Sequence, residues 1–141
     1  MTPDDEKFLR RAIEIADRAG AAGERPFGSL LVGPDGDVLV EDHNTVVSEV
    51  DITAHPELKL ARWAARELDA EVAAGTTMYT SCQPCPMCAT AIDRSGLGRV
   101  VFALSAEQFE SVKPPTPAPA PVRYDGPALF AEARRPIEDH Y

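Results

Sequence analysis

The 141-residue sequence has no apolar run near the 18 or so consecutive residues that a membrane-spanning helix needs. It also lacks a basic excess: 14 Lys and Arg stand against 23 Asp and Glu, for a formal net charge of −9. A protein that grips a long stretch of nucleic acid mainly through phosphates presents a basic face, so that function class is disfavoured, although a local basic patch stays compatible. The opening Met1-Thr2-Pro3-Asp4-Asp5-Glu6 is the reverse of a basic signal-peptide leader. The expectation is a cytoplasmic chain with no membrane partner. Cysteine is scarce and confined to Cys82, Cys85 and Cys88. An odd number packed so closely makes a poor disulfide framework and points to metal or redox chemistry in a reducing compartment. No internal repeat is visible.

Hydrophobic residues at 44% and charged residues at 26% give globular composition, and the length suits one domain. Thr2, Pro3 and three acids form a helix start, and Phe8, Leu9, Ala12, Ile13, Ala16 and Ala19 recur at helical spacing, which predicts a helix over 3–19. Phe27 to Val32 and Val38 to Val40, separated by Gly33-Pro34-Asp35-Gly36, predict a hairpin, with a third strand or loop around Val46 and Val47. A second helix is expected from Pro56 to about Ala73, with Trp63 on its apolar side. A strand over 76–80, a helix over 89–95 and a strand over 99–103 complete the pattern. This order predicts an α/β fold: a three-layer α/β/α sandwich with a mixed central sheet.

Residues 113–121, Lys-Pro-Pro-Thr-Pro-Ala-Pro-Ala-Pro, hold five of the thirteen prolines and read as an extended spacer rather than an SH3-type ligand. The expected organisation is therefore a catalytic domain over 1–112, the spacer over 113–121, and a structured tail over 122–141.

The chemistry concentrates in His55-Pro56-Glu57 and Pro84-Cys85-Pro86-Met87-Cys88. One imidazole and two thiolates are ordinary zinc ligands, and three protein ligands leave a fourth position for water. H-x-E followed by P-C-x-x-C is the signature of zinc deaminases. Pro56 in a first helical turn pushes His55 into the extended conformation of a cap residue. Cys85 and Cys88, three apart at a helix start, share a face. The rival is a structural Cys₃His site with Cys82 as fourth ligand, which would leave Glu57 without a role.

Pro26-Phe27-Gly28, Asn44, Thr53-Ala54-His55-Pro56-Glu57 and Tyr79-Thr80-Ser81-Cys82-Gln83-Pro84-Cys85-Pro86-Met87-Cys88 together resemble the cytidine deaminase-like superfamily, in its branch of guanine, cytosine and tRNA adenosine deaminases. Phe27 before Gly28 and the Ser81-Cys82 pair look more like the nucleobase deaminases. The resemblance implies the cytidine deaminase-like fold and a hydrolytic deamination. Zinc on His55, Cys85 and Cys88 would activate a water, with Glu57 as the catalytic proton shuttle. Asn44 matches the asparagine that binds the base, and Phe27 would pack beside it. The tail is similar in kind to one that covers an active site, sometimes the partner subunit's, so Glu138 or Asp139 would meet ring N–H groups and Tyr141 would close the pocket. Glu110 is a further candidate. A homodimer is implied. Two positions depart from the pattern: Pro56 stands where a small residue is usual, and Gln83 where Glu is common.

The function expected is a zinc-dependent deaminase of a small amino-substituted heterocycle such as guanine, cytosine or an s-triazine, free base or nucleoside, with no nucleic-acid partner. The alternatives are a tRNA adenosine deaminase and, from another class, a non-catalytic zinc-stabilised binding module.

Overall fold

A computed structural model describes all residues, 1–141. The first helix, α1 (Pro3–Ala21), begins at a capping box: Thr2 Oγ1 accepts from Asp5 N at 3.1 Å while Asp5 Oδ2 accepts from Thr2 N at 2.9 Å. Strands β1 (Gly28–Val32) and β2 (Val38–His43) form the expected hairpin, turned where Gly36 adopts φ 85°, a conformation glycine reaches without steric cost. The remaining elements are α2 (Val46–Glu49), α3 (Pro56–Glu67), α4 (Ala70–Ala74), β3 (Thr77–Cys82), α5 (Pro86–Asp93), β4 (Arg99–Leu104), α6 (Ala106–Val112) and α7 (Phe130–His140).

The sheet order is β2-β1-β3-β4, antiparallel except for the parallel β3–β4 pair, whose crossover is α5. A mixed sheet between two helical layers results. On one face Leu9, Ala12 and Ile15 of α1 pack with Leu30, Val32, Tyr79 and Val101. On the other, Leu60, Ala61 and Ala64 of α3 and Ile92 of α5 pack with Leu31 and Met78. Successive residues of β1 thus serve opposite layers, which is why that strand is buried throughout rather than alternating. Leu30, Leu31, Leu60 and Met78 are at most 1% exposed, each burial contributing roughly 1.5–3 kcal/mol. Gly28 lets the α1 backbone approach closely: a Cβ there would lie 2.6 Å from Ala16 N.

Asp5 joins α1 to the sheet. Its side chain, 3% exposed, accepts from Arg99 Nη1 at 2.8 Å, Arg99 Nη2 at 3.0 Å and Tyr79 Oη at 2.7 Å. The guanidinium first, and then the other donors, hold its carboxyl well below the usual range. Burial, and then the bond to Asp5, push Tyr79 up to about 12.

Three sequence expectations need correction. The segment around Val46 and Val47 is neither strand nor loop but the short helix α2. The helix expected from Pro56 to Ala73 is two, because Leu68 turns extended and Asp69 restarts the chain as an N-cap, its side chain accepting from Val72 N at 2.9 Å. Helix α6 was not anticipated. Residues 114–129 carry no helix or strand, and α7 buries no residue. No helix is long and apolar enough to cross a membrane.

Candidate active site

Two helices converge on the site, and each begins the same way. His55 is the N-cap of α3 with Pro56 as first helical residue, and Cys85 is the N-cap of α5 with Pro86 following. Both caps are extended, at ψ 142° and 167°, as a residue before proline must be. Cys88, fully buried, lies one turn into α5. His55 Nδ1 sits 3.6 Å from Cys85 Sγ and 3.5 Å from Cys88 Sγ.

These separations suit a shared ion. Tetrahedral zinc with Zn–S near 2.3 Å and Zn–N near 2.05 Å places its sulfur and nitrogen ligands about 3.6 Å apart. The donor atoms of His55, Cys85 and Cys88 lie within 4.8 Å of one another, and Cys82 is outside this group. The Cys₃His alternative is therefore not what the geometry assembles. Electrostatics agree with a cation site. Burial, the nearby Glu57 and then Cys85 push the Cys88 thiol up, and burial followed by the Arg25 charge lowers His55. A divalent cation reverses the first of these costs and needs the neutral imidazole that the second favours.

Glu57, 7% exposed, is the second residue of α3 and lines the same pocket as His55 and Cys85. Burial raises its carboxyl, and a hydrogen bond from Ser29 opposes that shift. Ser29 Oγ, bonded to Thr80 Oγ1 at 2.8 Å, reaches Glu57 Oε1 at 3.4 Å. Both hydroxyls are buried in the sheet core.

The pocket encloses about 630 Å³, within the range of small-molecule sites. Phe27, Asn44, His55, Glu57, Cys85 and Glu110 line it, as the sequence suggested, while Cys88 lies beneath. Asn44 is 2% exposed; its Oδ1 accepts from Val46 N at 2.9 Å, so the carboxamide N–H₂ is the group left to offer. Lys59 Nζ holds the segment around it, donating to Asp42 Oδ1 at 3.0 Å, His43 O at 2.8 Å and Thr45 Oγ1 at 2.9 Å. Trp63 is half-buried against the α3 core, as expected.

Glu138, Asp139 and Tyr141 do not line the pocket: α7 stands exposed in the single chain. Sequence reasoning passed over several residues that the fold brings in or behind the site. Arg25 and Phe109 line the pocket, and Phe109 packs edge-on to Phe27 with ring centroids 5.6 Å apart. Ser29 backs Glu57, and Gln83, noticed only as a departure, lines the mouth. A serine inside an apolar strand was the one available signal for Ser29.

A buried carboxylate beside a His/Cys/Cys donor set, on an α/β/α sandwich, defines the class of zinc-dependent deaminases. The family model described as the cytidine and deoxycytidylate deaminase zinc-binding region matches residues 2–104, and the chain belongs to that family. It is 39% identical over 101 residues to the tRNA-specific adenosine deaminase of Haemophilus influenzae, covering 72% of this chain and 58% of that protein. It is 33% identical over 135 residues to the guanine deaminase of Bacillus subtilis, covering 95% of this chain and 80% of that protein. The solved structure of the Bacillus subtilis guanine deaminase superposes with a TM-score of 0.75 at 28% identity, over 99% of this chain and 94% of that one. A solved complex with 2,6-diaminopurine superposes with a TM-score of 0.65 at 26% identity, over 81% of this chain and 65% of that one.

Proposed function

We propose that this chain hydrolytically deaminates a small amino-substituted heterocycle, such as guanine, cytosine or an s-triazine, to its oxo product with release of ammonia. The observation that carries this reading is Glu57: it is buried, lines the same pocket as His55 and Cys85, and is not one of the three donors. Zinc held by His55, Cys85 and Cys88 supplies the positive charge that makes a water nucleophilic at neutral pH. Glu57 takes the proton of the attacking water and passes it to the ring nitrogen beside the amino-bearing carbon. It then takes the remaining proton from the added hydroxyl and delivers it to the departing amine, so the C–N bond breaks, the water oxygen stays as the oxo group, and ammonia leaves. Asn44 donates its carboxamide N–H to an acceptor on the ring, and Phe27 with Phe109 forms an aromatic wall.

Residues 1–112 form the catalytic domain in this reading, 113–121 the spacer, and 122–141 a lid. Phe130, Ile137 and Tyr141 fall on one face of the tail, at 76%, 59% and 95% exposure. A second copy of the chain covers that stripe, which makes the protein a homodimer in which Glu138, Asp139 and Tyr141 reach a pocket. The setting is cytoplasmic.

A tRNA adenosine deaminase is the second reading, favoured by the 39% identity to the Haemophilus influenzae protein. The net charge of −9 weighs against it. Ammonia release over guanine, cytosine, adenine, their nucleosides, ammeline and a tRNA anticodon stem-loop, with and without a chelator, separates the two. Chelator-sensitive turnover of a small base is expected. Turnover of the stem-loop alone would sink the small-substrate reading, and no turnover at all would favour a binding module.

A further inference from the structure

Helix α6 contributes Ala106, Phe109 and Glu110 to the pocket but buries none of its residues. Something other than core packing must hold it. Its capping box accounts for two N–H groups: Ser105 Oγ accepts from Gln108 N at 3.1 Å, and Gln108 Oε1 accepts from Ser105 N at 3.0 Å. The Ala106 N–H, one of the donors that every helix start leaves over, goes outside the helix, to Gln83 Oε1 at 2.9 Å. The backbone of the same residue donates from Gln83 N to Leu104 O at 2.7 Å, at the end of β4. Gln83 therefore clamps both the strand end and the first turn of α6, and it stands two residues before Cys85.

We propose that Gln83 is a positioning residue that fixes α6, the outer wall of the pocket, against the metal-binding loop and so sets the width open to a substrate ring. Beyond the covalent link through Ser105, the Phe109–Phe27 contact is the other tie between this wall and the body of the pocket. The chemistry required at position 83 is an acceptor oxygen facing a helix N-terminus. An amide supplies it here, and a carboxylate would supply it with added attraction to the positive helix end. Glutamate is thus a functional substitute, and a side chain of equal length without the oxygen is not.

The catalytic part of this inference rests on the deaminase reading; the clamp itself does not. The test compares zinc-loaded full-length wild type, Gln83→Met and Gln83→Glu by amide hydrogen exchange and by steady-state kinetics on the best base of the panel. In Gln83→Met the amides of residues 106–112 should exchange faster and KM should rise by about 2- to 12-fold, the span expected for losing one hydrogen bond, with kcat and zinc content unchanged. Gln83→Glu should exchange no faster than wild type over residues 106–112 and keep its KM. Unchanged exchange in Gln83→Met overturns the clamp. Faster exchange with unchanged KM overturns its role in substrate fit, and loss of zinc would place the residue's role in the metal loop instead. If wild type deaminates nothing, the deaminase reading fails and the exchange comparison alone decides the clamp.

Discussion

His55 Nδ1 lies 3.5 Å from Cys88 Sγ although 33 residues of chain separate them. The approach joins the starts of two helices, so metal binding there ties α3 to α5. Cys88→Ser should lose zinc, whereas Cys82→Ser should keep one zinc per chain, because Cys82 is outside the donor group. With free zinc at 100 times its Kd the holo form gains about 2.7 kcal/mol over the apo form. Metal analysis and calorimetry before and after chelation check both statements, and a Cys82→Ser protein that cannot hold zinc would revive the four-ligand site.

Glu57→Gln should retain zinc and fold while ammonia release falls by about 10²- to 10⁴-fold, the usual worth of a positioned proton shuttle. Stability should not fall with it. Burial raises the folded-state pKa of Glu57 above its ordinary 4.5, so the folded chain pays for ionising this group once the pH exceeds that value. In the zinc-free protein the neutral variant removes that cost, and its melting temperature at pH 7 after chelation should equal or exceed that of chelated wild type. A markedly less stable Glu57→Gln would show that the carboxylate is structural.

Asp5 behaves in the opposite sense. Arg99 first, and then the Thr2 and Tyr79 bonds, depress its pKa below the ordinary 3.8. The stability it contributes is complete above that value and is lost as the pH falls toward the folded-state pKa. Asp5→Asn should lower the melting temperature at pH 7, and the gap to wild type should narrow below about pH 4. An equal gap at pH 3 and pH 7 would mean that the ionised form adds nothing.

Pro56 has no N–H at the position where a helix start would otherwise offer one to the pocket it lines. Pro56→Ala restores that donor. Rates on rings with a carbonyl next to the reacting amidine should rise relative to rings with an amino group there, by up to the roughly 2- to 12-fold worth of one hydrogen bond. Kinetics on cytosine and an amino-s-triazine compare the two, and an unchanged ratio would remove Pro56 from substrate choice.

Deleting residues 122–141 should leave the fold and zinc content of the single chain unchanged, since none of their side chains is buried within it. Activity and dimerisation should both fall if the tail is the lid. Sedimentation and ammonia release measure these, and a fully active monomeric deletion would make the tail dispensable.

Much of this was readable in the chain. The start of α1 was marked by Thr2, Pro3 and the acids, and the hairpin by Gly33-Pro34-Asp35-Gly36, because these residues act on their own backbone. His55, Glu57, Cys85 and Cys88 were legible because metal chemistry restricts residue type and spacing. The break at Leu68 and Asp69 was not, since the apolar period runs through it and a single aspartate turning into a cap is a weak signal. Helix α6 was missed for a related reason: it buries nothing, so it leaves no hydrophobic pattern to find.

The chain by itself therefore determined the donor types, the acid beside them and the order of the four strands with α1, α3 and α5, all of which depend on local conformation and on the chemistry of single residues. Tertiary structure alone decided that Cys82 stands outside the donor group, that Ser29 backs Glu57, and that Gln83 bonds to the first turn of the helix carrying Phe109. The last two are relations between residues 28 and 23 positions apart, and only the packing of the helices on the sheet brings them within hydrogen-bond reach. The opening scarcity of cations also changed in meaning. Against a net charge of −9, Arg25 at the pocket and Arg99 on Asp5 act where they stand, as local charges that composition cannot locate.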